Sequence, residues 1–202
     1  TQKLVQSGVD ILDIGAQSTR PGADIIGEKE EIKRLLPVLI EIRKNFPNLI
    51  ISIDTFNAEV AYKALKNGAN WINDVTGGKN DKSILDVVAE FDCPYVITHS
   101  KGNSKTMNKL SVYNNLMEEI INSLIELSES AIYKNVRKDK IIWDPGLGFA
   151  KNKDHNIFIL KNLDRLKSFD FPLLIGASRK RFIGEILNAV SYTHLRAHET
   201  KA

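Results

Sequence analysis

A single cysteine, Cys93, stands among the 202 residues, so no disulfide can form within the chain. A lone thiol beside Pro94 in an apolar setting suits a reducing compartment, and the expected location is the cytoplasm. No apolar stretch reaches the roughly 20 residues that a membrane-spanning helix needs, so no membrane association is expected. No excess of one charge is present either: Lys and Arg number 28 against 25 Asp and Glu, a formal net charge of +3. The basic residues are spread rather than gathered into an arm, which gives nucleic acid no footing. The chain has no initiating Met and no signal-peptide pattern. Its opening, "TQKLVQSG", reads as the middle of an amphipathic helix, and the expectation is an N-terminus cut from a longer protein. What remains is an ordinary globular composition, 43% hydrophobic and 26% charged, with length enough for one sizeable core.

Short apolar runs alternate with helical stretches. The runs cover 9–14, 49–53, 71–73, 95–98, 140–143 and 172–175. Most are apolar on both faces, as in a parallel sheet covered on both sides. In "EEIKRLLPVLIEIRKNF", Ile32, Leu35, Leu36, Leu39 and Ile40 follow helical spacing, with Pro37 marking a kink or the start of a second segment. "NAEVAYKALKNGAN" is expected to start after a capping Asn57 and to stop at Gly68. "SVYNNLMEEIINSLIELSESAIYKN" holds the longest helix and "RKRFIGEILNAV" the last.

Strict β-α order fits either an open doubly wound sheet or a (β/α)8 barrel. The polar residues favour the barrel. Asp13, Asp54, Asn73 with Asp74, His99, Asp144 and the Ser178-Arg179-Lys180 run each stand at the C-terminal end of a different strand. A barrel gathers all such ends around one mouth, whereas an open sheet concentrates its ligands at one crevice. The fold expected is therefore an α/β (β/α)8 TIM barrel, incomplete, with about six strands present, in one domain over residues 1–190. A complete barrel takes about 250 residues, so one or two βα units are expected to be missing.

Several motifs carry chemistry. "DIGAQSTRPGA" ends a strand and opens a polar loop with Ser18, Thr19 and Arg20, which serves equally as a ligand loop or a solvated turn. In "ISIDTFNAEV", Asp54 is either a helix cap or a carboxylate presented to the mouth; Thr55 and Asn57 are the better caps, which favours presentation. In "WINDVTGG", the Asn73 amide offers donor and acceptor together, as a heterocycle edge requires, while an Asx-turn explains the same residues. In "IIWDPGLGFAKN", Asp144 leaves the strand, Pro145-Gly146 turns the chain, and Phe149 is an aromatic on a loop. His99 ends a strand, but a hydrogen-bonded structural histidine is the commoner case and no Ser-His-Asp order is visible, so it is left out of catalysis. His155 reads as a helix-start surface residue. In "FPLLIGASRKRFIG", a buried strand runs directly into Arg179, Lys180 and Arg181 at a helix start, an arrangement suited to anions. The implied ligands combine anionic groups with a planar polar heterocycle.

Together, "DIGAQSTRPGA", "SIDTFNAEV", "INDVTGG", "HSKGNSKTMN", "DPGLGFAKN" and "GASRKRFIG" resemble the motifs of the dihydropteroate synthases, enzymes of the folate pathway, in order and spacing. "STRPGA" with "SRKRFIG" separates this pattern from the pterin-binding domains of methyltransferases. The resemblance implies a transferase that joins 6-hydroxymethyl-7,8-dihydropterin diphosphate to para-aminobenzoate and releases diphosphate, with Mg²⁺ assisting. It implies that Asp54, Asn73, Asp144 and Lys180 hold the pterin, with Asp54 and Lys180 carrying the catalysis. It places Thr19 at the pterin diphosphate, Arg20 on a loop completing the pocket, and Phe149, Lys180 and Arg181 around para-aminobenzoate. No metal ligand is expected within the chain, since the family's Mg²⁺-binding Asn belongs to a first strand not found here. The resemblance also allows a homodimer. Two features depart from the family: "HSKGN" replaces the usual His-Met pair at Ser100, and the last strand with its Arg-x-His motif is not found, so these 202 residues alone are expected to be inactive. A methyltransferase-type pterin domain, discriminated by cobalamin-linked methyl transfer, and a non-catalytic pterin-binding fragment, discriminated by binding without turnover, remain the other readings.

The tail "SYTHLRAHETKA" mimics the missing motif with Arg196-Ala197-His198. Only about four helical turns separate Lys180 from Arg196, too few to finish a helix, a loop and a strand. The tail resembles translated sequencing-adapter sequence, and 191–202 is read as foreign to the fold.

Overall fold

Five of the six apolar runs form one parallel sheet: β1 (Ile11–Ile14), β2 (Ile50–Asp54), β3 (Trp71–Asp74), β4 (Tyr95–Thr98) and β5 (Ile141–Asp144). The computed structural model describes residues 1–18, 22–178 and 180–186. Helices alternate with the strands: α1 (Gln2–Gln6), α2 (Glu28–Asn45), α3 (Ala58–Lys66), α4 (Ser83–Phe91), α5 (Leu116–Tyr133), α6 (Lys153–Lys161), α7 (Leu163–Lys167) and α8 (Arg181–Ile186).

The strands lie in chain order, each parallel to the next. A doubly wound sheet reverses its order at the crevice where its ligand binds. No reversal occurs here, and consecutive parallel strands joined by helical crossovers are the repeating unit of a (β/α)8 barrel. β4 and β5 are buried at every residue, as strands packed on both faces must be. Their large side chains also satisfy their polar atoms. The Tyr95 hydroxyl donates to Asp74 Oδ2 at 2.8 Å, and Trp143 Nε1 donates to Ser128 Oγ on α5 at 2.8 Å.

The sixth run, expected as a strand over 172–175, makes a single bridge instead, Leu173 to Trp143. Trp143 N–H donates to the Pro172 carbonyl at 2.8 Å and Leu174 N–H donates to the Trp143 carbonyl at 2.9 Å. Pro172 brings no N–H to a ladder. Ala177 N–H then bonds back to the Ile175 carbonyl at 3.0 Å, so the chain has already left the extended line.

The helices differ from expectation in detail. α2 runs unbroken through Pro37 for 18 residues, with no second segment. Its buried stripe is Leu35, Leu39 and Ile42, whereas Ile40 is 48% exposed. α5 matches it at 18 residues and begins only at Leu116, where the Asn115 side chain caps Glu118 N–H. At α3, Asn57 holds the cap position without capping: its amide donates to Glu31 Oε2 at 2.6 Å, and Asp81 Oδ2 accepts from Ala58 N–H instead. The tail read as foreign, with Arg196 and His198, lies outside the described residues.

Candidate active site

The tips of β1, β2 and β3 crowd together. Asp54 and Asn73 are register partners on β2 and β3. The Asn73 amide donates to Asp13 Oδ2 of β1 at 3.1 Å. Gly15 allows this approach, since a β-carbon there would come within 2.9 Å of both the Asp54 Cβ and its carbonyl oxygen. Asp54 Oδ1 and Asn73 Oδ1 are buried without a hydrogen-bond partner. Two unanswered acceptors on adjacent tips are a costly arrangement unless a ligand supplies donors.

Burial pushes the Asp54 carboxyl up to about 7, with Asp13, Asp74 and Glu31 adding like-charge repulsion and Lys180 opposing it. Glu31, from the first turn of α2, is 1% exposed, and its Oε1 has no partner. Burial raises its carboxyl above the usual range. Asp74 does different work. Its carboxylate accepts from Thr76 N–H, Thr76 Oγ1, Gly78 N–H and the Tyr95 hydroxyl. The Asx-turn considered for "WIND" therefore belongs to Asp74, and Asn73 is left for the mouth.

The loop after β5 carries the opposite wall. Asp144 Oδ1 accepts from Gly146 N–H at 2.7 Å. Burial lifts its carboxyl to about 6 against the pull of that N–H, Lys180 and Lys151. The Lys180 stem passes over Gly148, where a β-carbon would stand 3.1 Å from Lys180 Cδ. Its ammonium lies 4.5 Å from the centre of the Phe149 ring. Burial lowers the Lys180 pKa, while attraction from Asp144 and Asp54 resists the change. One cation over an aromatic face is thus attracted by carboxylates from the β2 and β5 tips. Asp54, Asn73, Asp144, Phe149 and Lys180 are brought together at the C-terminal ends of the strands. Thr19, Arg20 and the Arg181 side chain lie outside the described residues, as does Arg179.

His99 is buried and close to a cation: its Nδ1 is 2.8 Å from Lys151 Nζ. Burial, with repulsion from Lys151, Lys79 and Lys101, lowers its pKa to about 2 and keeps it neutral. His155 sits at the third position of α6 and forms a capping box with Asn152, as a helix-start residue would. Ser100, where the family places a hydrophobic contact, donates to the Val75 carbonyl at 2.8 Å and ties the β4 tip to the β3 loop.

Sequence reasoning missed three supports of the site. Gln17 is 6% exposed and staples its loop: its amide donates to the Ser18 and Asp24 carbonyls, and its Oε1 accepts from Ile26 N–H. Glu31 backs Asp54, and Lys151 sits beneath the β5 loop. Only Gln17, between a strand end and the loop, gave any signal of position.

The chain matches the family described as "Pterin binding enzyme" over residues 1–202. It is 41% identical over 187 residues to the dihydropteroate synthase of Clostridium beijerinckii, covering 93% of this chain and 66% of that protein. It thus spans just under two thirds of that relative's length. Among solved structures, the Yersinia pestis dihydropteroate synthase in a sulfonamide drug complex superposes with a TM-score of 0.91 at 34% identity, covering 96% of this chain and 69% of that one. The Xanthomonas albilineans dihydropteroate synthase with 4-aminobenzoic acid gives 0.90 at 34% identity, covering 98% and 72%. A sequential parallel sheet whose strand tips converge on a carboxylate–lysine–aromatic pocket, matched over its whole length, makes this chain a member of the pterin-binding enzyme family.

Proposed function

We propose that the chain carries the substrate-binding face of a dihydropteroate synthase, which joins 6-hydroxymethyl-7,8-dihydropterin diphosphate to para-aminobenzoate. The observation that carries this reading is Lys180, whose ammonium lies over the Phe149 ring and in the field of the Asp54 and Asp144 carboxylates. Such a cation can serve two ligands at once, an anionic heterocycle on the carboxylate side and an aromatic carboxylate on the ring side. The unpartnered oxygens of Asp54 and Asn73 supply acceptors for the N–H edge of a pterin.

In the reaction, the aminobenzoate nitrogen forms a bond to the pterin methylene carbon as the bond from that carbon to the diphosphate oxygen breaks. Diphosphate leaves with the bonding pair, and the amine loses one proton. As the oxygen departs, positive charge builds on the methylene and spreads into the ring. The ionised Asp54 carboxylate opposes that charge where it develops. No protein nucleophile is required. Mg²⁺, which the resemblance implies, would neutralise the departing diphosphate. Among the described residues no group of three or more His, Cys, Asp or Glu side chains could hold a metal ion, and no step here runs through one.

Lys180→Ala in the full-length protein tests the reading. Removing the shared ammonium is expected to weaken equilibrium binding of both pterin diphosphate and para-aminobenzoate, each by about 10–100-fold, the range for loss of a charge-assisted contact. Unchanged affinity for both ligands would refute the shared role.

A further inference from the structure

We propose that Lys151 is a positioning residue that fixes the β5 loop so that Phe149 stands ready for the aminobenzoate side of the pocket. The assignment rests on the function proposed above for that pocket.

Lys151 is 9% exposed, and its Nζ lies within hydrogen-bond distance of four groups, which its three N–H share. They are His99 Nδ1 at 2.8 Å, the His99 carbonyl at 3.2 Å, the Gly146 carbonyl at 3.0 Å and the Phe149 carbonyl at 3.0 Å. Two belong to the tip of β4 and two to the loop after β5, so one side chain bolts the loop to the neighbouring strand. The loop needs such a bolt. Gly146, Gly148 and Ala150 all have positive φ, at 70°, 77° and 51°. Alternating left-handed residues make no ladder of their own, and Ala150 pays a steric penalty there. The flanks are held separately: Gly148 N–H donates to Asn156 Oδ1 at 2.8 Å, and the Tyr113 hydroxyl donates to the Ala150 carbonyl at 3.0 Å. Among the described residues, Lys151 is the side chain bonded to the Gly146 and Phe149 carbonyls. Lys180, by contrast, belongs to the separate segment that leads into α8. Asp144 is less dependent on this bolt, because it belongs to β5 itself and is held by the ladder to β4, paired with Thr98.

That difference gives the test a signature that general destabilisation lacks. In the full-length protein, Lys151→Met keeps the stem and removes all donors, while Lys151→Gln keeps two donors. Equilibrium binding of para-aminobenzoate is expected to weaken at least tenfold in the Met variant and by an intermediate factor in the Gln variant. Binding of pterin diphosphate should stay within threefold in both. Amide hydrogen exchange should accelerate at Leu147–Phe149 and not across β4. Aminobenzoate affinity within twofold of the parent, equal losses for both ligands, or exchange that speeds throughout β4 and β5 would each overturn the proposal. If only the Gln variant folds, it decides alone; if neither folds, Lys151 belongs to the fold and the proposal falls. A parent protein that binds neither ligand would reject the proposed function by itself, and the exchange pattern would still decide the role of Lys151.

Discussion

Asp54→Asn is expected to lower turnover by about 10²–10³-fold while changing pterin diphosphate affinity by less than about tenfold. The amide keeps the size and much of the hydrogen bonding of the carboxyl group. It loses the negative charge, which matters most when the methylene becomes cationic. The effect should therefore fall on kcat more than on binding. Equal losses in rate and affinity would make Asp54 a binding residue only. The pH profile offers a second reading. With its carboxyl raised to about 7, Asp54 ionises near neutrality, so kcat/KM should climb as the pH passes about 7, and the Asn variant should lack that limb. Stability should move the other way. Its folded pKa lies above the unfolded value near 3.8, so its favourable contribution is full below about pH 4 and is lost as the pH rises through 7. Above that range the ligand-free Asn variant should be more stable than the parent by on the order of 1–3 kcal/mol, measured by urea unfolding at two pH values.

Gly146→Ala is expected to cost about 3–5 kcal/mol of folding stability. Two costs coincide there. The backbone has φ +70°, which an L-residue with a β-carbon tolerates poorly, and the new carbon would stand 2.1 Å from the His99 carbonyl oxygen. That oxygen is backbone at the end of β4, so relief requires the β4 and β5 tips to separate. Gly8→Ala is the control: it has φ +80° and nothing within 4 Å of its added carbon. It should cost only the conformational part, about 1–2 kcal/mol. Denaturation midpoints of the two variants measure the difference; equal losses would mean that the close contact contributes nothing.

Much of the sheet, and the crowding of polar residues at its strand tips, was legible in the sequence. Strands buried on both faces announce themselves as apolar runs, and a polar residue ending each run marks the mouth. The sixth run misled because its apolar content says nothing of the N–H that Pro172 lacks. Ile40 misled in the same way, since helical spacing admits more apolar residues than the core accepts. Glu31 and Lys151 were invisible for a physical reason. An acid in the first turn of a helix reads as a surface charge answering the helix dipole, and a lysine after a glycine-rich loop reads as solvated. Only the folded chain reveals that both are buried against partners remote in sequence, Asn57 and His99.

The chain-order sheet has a consequence for synthesis. Each strand pairs with the one made just before it, at positions roughly 20 to 45 residues apart. A nascent polypeptide leaving the ribosome can therefore dock each βα unit as it emerges, without waiting for a distant partner. The growing edge always belongs to the newest strand, and it stays open to stray association only until the next unit covers it. Slow translation should favour this protein's folding, whereas dilution of the whole denatured chain from urea exposes all such edges at once and should give more aggregate.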